Sequence, residues 1–194
     1  MDFIKQIIKF FTGNAKLRQE NEALRQRITE LEEQIAVLEQ RLAPPAPPKI
    51  VGEIDHSRLI QLLVSTLPGL KYDEIDIADR RYKLTTVAEM NRFLAKDDTD
   101  KMRWQTDAPD CDDFTRRLLG NLTVPGWWSL PKGDIWVEWD DAQGRTHGHS
   151  IIVTVLYEKE EDPEPNVYLI EGQTDAIELG PDMFEDFRTR LVKM

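Results

Sequence analysis

Residues 134–157, DIWVEWDDAQGRTHGHSIIVTVLY, decide the fold class of the C-terminal part of the chain. The apolar pattern has a period of two along Asp134–Trp139 and again along His149–Tyr157, and this period is typical of β-strands. Gln143-Gly144 between the two runs predicts a turn. A third run, Val167–Glu171, predicts another strand, so we expect an antiparallel sheet.

Three helices are predicted before this sheet. His56–Leu67 is amphipathic, and Thr86 with Glu89 has the spacing of a capping box at the start of a second helix. The third helix, Asp110–Leu119, opens with acidic residues. Helices followed by an antiparallel sheet are the order expected of an α+β domain, here over residues 50–194.

The charge of the chain is strongly uneven. Residues 1–48 hold seven Lys/Arg and seven Asp/Glu, so the net charge of −11 lies in the rest of the chain. An acidic domain repels phosphate backbones, and nucleic acid is therefore not an expected partner. The sequence has no apolar run near the ~20 residues that span a bilayer and no signal-peptide pattern. Its one cysteine excludes an intramolecular disulfide, which fits a cytoplasmic origin or a virion component released by lysis.

Residues 13–42 carry four heptads typical of a parallel coiled coil. The a positions are Asn14, Asn21, Ile28, Ile35 and Leu42, and the d positions are Leu17, Leu24, Leu31 and Leu38. In a parallel arrangement Glu20 faces Arg25 of a neighbour, and Arg27 faces Glu32. A homo-oligomer through residues 14–42 follows from this pattern.

Two features favour different numbers of strands. Isoleucine at a with leucine at d, together with Asn21 at an a position, favours a dimer. Residues 27–32, RITELE, match a trimer-directing pattern of Arg at g, aliphatic a and d, and Glu at e. We expect a trimer in preference to a dimer.

Residues 1–12 predict a separate short amphipathic helix, because Phe3, Ile4, Ile7, Ile8 and Phe11 have helical spacing and Thr12–Asn14 favours a break. We expect residues 1–11 to attach the protein to a larger protein assembly; attachment to a membrane surface is the alternative. Residues 43–49 include APPAPP and predict a polyproline II spacer, or else a ligand for a proline-recognition domain.

Three residues of the C-terminal domain could form a nucleophilic site. Cys111 stands at the start of the third helix, where backbone N–H groups favour a thiolate, although the neighbouring aspartates oppose it. His149 begins a strand and Glu171 ends the next one, and the alternation sends both side chains toward one face. A thiol, an imidazole base and an orienting carboxylate are the groups of a papain-like nucleophile. The alternative is an inert, buried cysteine.

The motifs around these residues extend the interpretation. WQTDAPDCDDF (104–114), GHSIIV (148–153) and YLIEGQT (168–174) resemble, in order, the signature of a family of calcium-dependent, papain-like cysteine proteases. The best-described member is the C-terminal domain of a mushroom agglutinin, and relatives, some described as lectin-related, occur among phage proteins. The resemblance implies Cys111 as nucleophile, His149 as base and Glu171 as the third member.

The same resemblance suggests further site residues. Gln105 stands where papain-like enzymes place the glutamine of the oxyanion hole. The family's calcium dependence implies Ca²⁺, for which Asp107, Asp110, Asp112, Asp113 and Gln173 offer oxygen ligands. The sequence departs from the family at Thr115, at Ser150–Ile152 and at Gly172.

Three functions fit these patterns. The first is a phage-encoded, virion or tail-associated oligomer that displays a papain-like cysteine hydrolase on a coiled-coil stalk. The second is a structural virion or tail protein with the same fold and no activity, and the third is a papain-like peptidoglycan amidase. In the first two, the protein is made in the host cytoplasm and then enters the virion. His147 is an alternative base, and the tryptophans at 127, 128, 136 and 139 either pack or form a sugar-stacking surface.

Overall fold

The computed structural model describes residues 2–42, 45–105, 109–183 and 186–194. The chain forms two compact units, Met1–Pro44 and Pro45–Met194. The first is helical, and the second contains helices and strands. Within the described residues, no helix has an apolar stretch long enough to cross a membrane.

The first unit contains one helix, α1 (Asp2–Leu42). The expected break at Thr12–Asn14 is absent, because a single glycine costs a helix only about 1 kcal/mol relative to alanine and Ala15-Lys16-Leu17 are strong helix formers. Six apolar side chains at a and d positions are 42–60% exposed in the single chain: Leu17, Leu24, Ile28, Leu31, Ile35 and Leu38. The heptad face is therefore uncovered within one chain.

The helices α2 (His56–Thr66), α3 (Val87–Leu94) and α4 (Cys111–Asn121) begin within one residue of the predicted starts. Asp55 caps α2 by accepting the Arg58 N–H at 2.9 Å, and Thr86 Oγ1 caps α3 by accepting the Glu89 N–H at 3.3 Å. The Glu89 carboxylate accepts from Arg92 instead of completing the predicted capping box.

Among the described residues, six strands form one sheet: β2 (Ile75–Asp76), β4 (Lys132–Asp140), β5 (Thr146–Leu156), β6 (Asn166–Glu171), β7 (Ala176–Leu179) and β8 (Arg188–Lys193). Their order across the sheet is β2-β8-β4-β5-β6-β7. The strands β2 and β8 are parallel, and all other neighbours are antiparallel. A separate antiparallel pair contains β1 (Gly52–Asp55) and β3 (Arg81–Leu84). The α+β class is confirmed, with a mixed sheet in place of the purely antiparallel one we expected.

Both faces of the six-stranded sheet are covered by apolar side chains. Val153 and Leu169 pack on one face in a cluster that includes Leu59 of α2. Ile152 and Ile170 pack on the other face with residues of α3 and α4. Because the centre of the sheet is buried on both sides, residues on both faces of β5 and β6 are apolar. The sequences of these two strands are therefore nearly continuous apolar runs.

The described part of the proline-rich segment belongs to the second unit and packs on it through Ala46 and Pro47. The Ala46 carbonyl oxygen accepts from Trp127 Nε1 at 3.0 Å and from Arg92 Nη2 at 3.1 Å. Gly126 has a φ of +87°, and a Cβ there would lie 2.6 Å from the Pro47 Cβ. The described part of the predicted spacer is thus packed on the globular unit, because its carbonyl groups meet fixed donors.

Candidate active site

Cys111 is the first residue of α4 and is partly exposed. The preceding residue, Asp110, is extended and donates its backbone N–H to Asp113 Oδ2 at 3.3 Å, which sets the start of the helix. The thiol therefore lies at the helix end where unpaired N–H groups and the helix dipole stabilise negative charge. This is the local position that the sequence predicted.

His149 and Glu171 form a closely bonded pair. His149 lies near the start of β5 and Glu171 is the last residue of β6, and His149 Nε2 lies 2.5 Å from Glu171 Oε2. Their side chains are only 15% and 17% exposed. The backbone N–H of Gln173 donates to Glu171 Oε1 at 3.0 Å, so both carboxylate oxygens have a partner. Such a carboxylate fixes the orientation of the imidazole ring.

Contacts along α4 bring the thiol-bearing helix to the strands of this pair. Thr115, one helical turn after Cys111, donates its hydroxyl to the Ser150 carbonyl oxygen at 3.0 Å. A Cβ on Gly172 would lie 3.4 Å from the carbonyl group of Phe114. The first turn of α4 thus packs beside the residues that follow the histidine and the glutamate.

A second layer of polar contacts supports the strand that carries His149. The Ser150 hydroxyl donates to Asp134 Oδ1 at 2.8 Å, and Ser150 is buried. Thr115 and Ser150 were noted in the sequence only as departures from the family pattern, and Asp134 only as the first residue of a strand. These three residues connect α4, β5 and β4 through contacts between distant parts of the chain, and the spacing of residues in the sequence does not indicate such contacts.

Three aspartates surround the thiol-bearing turn. Single carboxylate oxygens of Asp110, Asp112 and Asp113 all lie within 4.8 Å of one another. Asp110 Oδ1 is buried and has no hydrogen-bond partner, whereas Asp112 forms an ion pair with Arg116. The pKa of Asp110 is raised because its protonated carboxyl donates a hydrogen bond to Asp112, and also by burial and by the charges of Asp112 and Asp113. The same hydrogen bond and Arg116 lower the pKa of Asp112.

The donor set of this acidic cluster fits a hard divalent cation. Ca²⁺ takes carboxylate oxygens as ligands, and an orphaned, buried carboxylate oxygen is the kind of atom that such an ion satisfies. Gln173 is partly exposed beside Glu171, and Asp107 lies outside the described residues. The structure thus brings together three of the five predicted ligands.

Gln105 lies beside the segment that precedes α4, whereas His147 lies in the β4–β5 hairpin. Gln105 is exposed, and its backbone N–H donates to the Pro109 carbonyl oxygen at 2.9 Å. His147 Nε2 lies 3.0 Å from Asp141 Oδ2, and its ring stacks on Trp139 with centroids 5.7 Å apart. The hydrogen bond from His147, followed by bonds from Arg145, lowers the pKa of Asp141 strongly. The pair belongs to the β4–β5 hairpin, whereas His149 bonds to Glu171.

The four tryptophans do not share one surface. Trp127 is fully buried, while Trp128 is 60% and Trp136 is 38% exposed. Trp136 lies over Gly148, where a Cβ would meet the indole ring at 2.3 Å. Any larger residue at 148 would require this ring to move.

Comparison with known proteins identifies similar folds only. No protein-family model and no curated protein matches the chain. One similar solved structure, titled "PSL1a-E64 complex", has a TM-score of 0.56 and 16% identity, over 73% of this chain and 50% of that chain. Another is Polyporus squamosus lectin bound to the human-type influenza-binding epitope Neu5Aca2-6Galb1-4GlcNAc, with a TM-score of 0.51 and 13% identity, over 73% and 49%. The chain spans about half the length of each, and its fold is shared with part of this mushroom agglutinin.

Proposed function

We propose that the globular unit is a papain-like cysteine hydrolase with Cys111 as nucleophile. The observation that carries the proposal is the 2.5 Å bond between His149 and Glu171, two side chains that are mostly buried. In an enzyme whose histidine acts as a general base, a carboxylate in this position orients the imidazole ring and stabilises the imidazolium that forms. Cys111 stands at the start of α4, the helix that Thr115 bonds to β5, and in this proposal its thiol supplies that proton.

The mechanism follows from the two ring nitrogens. Nε2 bonds to Glu171, so Nδ1 is the nitrogen that accepts the Cys111 proton. The thiolate then attacks the carbonyl carbon of an ester or amide, and the imidazolium returns the proton to the leaving group as the bond to it breaks. Water then attacks the thioester carbonyl and gives a proton to His149. The carboxylic acid product leaves, and Cys111 regains its proton from the imidazolium. Glu171 stabilises the cation formed at His149 in both halves of the reaction.

The oxyanion is stabilised by groups at the start of α4. The backbone N–H of Cys111 is one donor, and the side-chain amide of Gln105 is the second in this proposal. Asp110, Asp112 and Asp113 would hold Ca²⁺, with Gln173 as a further oxygen ligand. The bound ion would offset the negative charge that these aspartates place beside the thiolate.

The proposal also places the protein in a phage virion or tail, as a display module for this domain. Two grounds support it: the three ordered motifs resemble phage-encoded relatives, and α1 carries an uncovered heptad face suited to assembly. Within the acyl hydrolases, protein and peptidoglycan are the two substrate classes that follow from the resemblance. Parallel assays on labelled casein and on labelled peptidoglycan distinguish a protease from an amidase.

The direct test uses the single cysteine. E64 is an epoxide that alkylates activated thiols, and in this chain only Cys111 can react in that way, so the intact mass reports that residue alone. We expect a stoichiometric adduct in the presence of Ca²⁺, and no adduct with Cys111→Ala. His149→Ala should slow the reaction, while His147→Ala serves as the matched control and should not. If the folded protein formed no adduct either with or without Ca²⁺, the proposal of a cysteine hydrolase would be wrong.

A further inference from the structure

The continuity of α1 changes what its N-terminal residues can do. The helix runs from Asp2 to Leu42 without interruption. Counting back in sevens from Leu17 and Asn14 places Phe3 and Phe10 at d positions and Ile7 at an a position. The heptad pattern therefore continues through Gly13 to the start of the helix in unbroken phase.

We infer that all of α1, residues 3–42, is one parallel interface with further copies of this chain. The helix is about 60 Å long at 1.5 Å per residue, and the apolar a and d side chains described between Leu17 and Leu38 are exposed at heptad spacing. Phe3 is 75% exposed in the single chain, like the a and d residues further along. The inference replaces a separate anchor helix at residues 1–12 and does not depend on the hydrolase.

The orientation of the copies follows from the polar a position. In a parallel coiled coil, a residues meet a residues, so Asn21 meets its own copies and the amides can hydrogen-bond. In an antiparallel pair, a residues meet d residues, and every d position in α1 is Leu or Phe. An antiparallel partner would thus leave a buried amide without a partner, which costs free energy.

The charges beside the a and d positions also indicate that the partner of α1 is another copy of this chain. In the parallel arrangement Glu20 at g faces Arg25 at e, and Arg27 at g faces Glu32 at e. Both contacts pair opposite charges. A helix with this charge pattern is complementary to itself, whereas an unrelated apolar partner would form neither of these interhelical ion pairs.

Two lysine substitutions, two residues apart, test whether the interface extends to the N-terminal part of α1. Phe10→Lys replaces a residue at a d position of the heptad, while Ile8→Lys replaces a residue at a b position, which the heptad pattern leaves outside the interface. In sedimentation equilibrium of the full chain, we expect Phe10→Lys to raise the dissociation constant at least about tenfold and Ile8→Lys to change it less than about threefold. Equal effects, or an effect of Ile8→Lys alone, would overturn the extended interface in favour of docking on another partner.

The orientation is tested by oxidative cross-linking in a Cys111→Ala background. Ile35→Cys occupies an a position, so parallel copies bring its thiols together and we expect disulfide-linked chains. Thr29→Cys at a b position is the control and should remain unlinked. A monomer in sedimentation, or linkage of the control instead of Ile35→Cys, would overturn the proposal.

Discussion

Thr115 Oγ1 donates a hydrogen bond to the Ser150 carbonyl oxygen at 3.0 Å, and both residues are buried. The bond joins α4 one turn after Cys111 to β5 one residue after His149. It is therefore the contact through which the position of the proposed nucleophile is coupled to that of the proposed base. The packing of Gly172 on Phe114 makes the corresponding connection to the strand that ends in Glu171.

Thr115→Val tests this coupling. The substitution keeps the shape but removes the donor, and it leaves a buried carbonyl oxygen without this bond, so we expect a loss of about 1–2 kcal/mol in the free energy of unfolding. If the bond positions the nucleophile, the rate of E64 addition to Cys111 should fall several-fold at a temperature where the protein is fully folded. Thr115→Ser retains the hydroxyl and should restore most of the rate. An unchanged rate in a destabilised Thr115→Val protein would make the bond purely structural.

Glu171→Gln tests the orienting carboxylate. The amide oxygen can still accept the Gln173 N–H, so the turn after β6 should persist and stability should change by less than about 1 kcal/mol. The negative charge that supports the imidazolium is lost, and we expect hydrolysis and E64 addition to fall by roughly tenfold or more. Asp141→Asn provides a matched control, because it removes the carboxylate beside His147 in the same way. Equal losses in the two variants would argue against a special role for Glu171.

Asp110→Asn tests the acidic cluster. Asparagine is as good an N-cap as aspartate, so α4 should be retained, but the buried carboxylate oxygen is lost. We expect Ca²⁺ to raise the melting temperature of the wild-type protein and to accelerate E64 addition, and both responses should be largely lost in the variant. Asp73→Asn, at an exposed aspartate, should respond like the wild type.

The pH dependence of this Ca²⁺ response has a definite sign. The pKa of Asp110 is raised by its hydrogen bond with Asp112, by burial and by neighbouring negative charge. A proton therefore competes with the cation at higher pH than it would at an ordinary aspartate, and Ca²⁺ affinity should fall as the pH is lowered from neutrality. Calorimetric titration over a series of pH values measures the change, with Asp110→Asn as the comparison. A wild-type affinity that does not depend on pH would argue against Asp110 as a ligand.

The elements that carry the proposed chemistry could be predicted from the sequence because their signals are local. The acidic first turn of α4 marks a helix start, and the apolar runs of β5 and β6 mark buried strands between recognisable turns. Five strands were missed, β1, β2, β3, β7 and β8, because they are only two to six residues long. Such short strands depend on pairing with distant residues, as β8 does with β4.

The errors in the first 48 residues have a similar origin. Gly13 predicted a break, but helix propensity is a weak prior and continuous helix formers outweigh one glycine. The prolines predicted a polyproline II spacer but not its packing, in which the Ala46 carbonyl oxygen accepts from Arg92 and Trp127. Those donors lie 46 and 81 residues further along the chain, so no local pattern could indicate the contact.

Asp175, which is not one of the proposed catalytic residues, tests how the burial of a carboxyl group affects the stability of the fold. Its Oδ1 atom is buried without a hydrogen-bond partner, and its φ is +59°, in the left-handed region that Asp and Asn tolerate. Burial, followed by the charges of Asp100 and Asp97, raises the pKa of Asp175 to about 6. The folded state therefore disfavours the ionised form relative to the unfolded state.

Asp175→Asn should consequently stabilise the protein at neutral pH. Because the folded pKa lies above the ordinary value of 3.8, ionised Asp175 destabilises the fold above pH 6, and this penalty disappears as the pH falls toward 4. After allowance for solvent screening we expect a gain of about 1 kcal/mol at pH 7 and none at pH 4. Urea unfolding followed by tryptophan fluorescence measures the difference, and Glu178→Gln, at an exposed residue of β7, should show no such pH-dependent gain. A loss of stability in Asp175→Asn at pH 7 would instead mean that the carboxylate has a partner, such as a bound cation, that favours its charge.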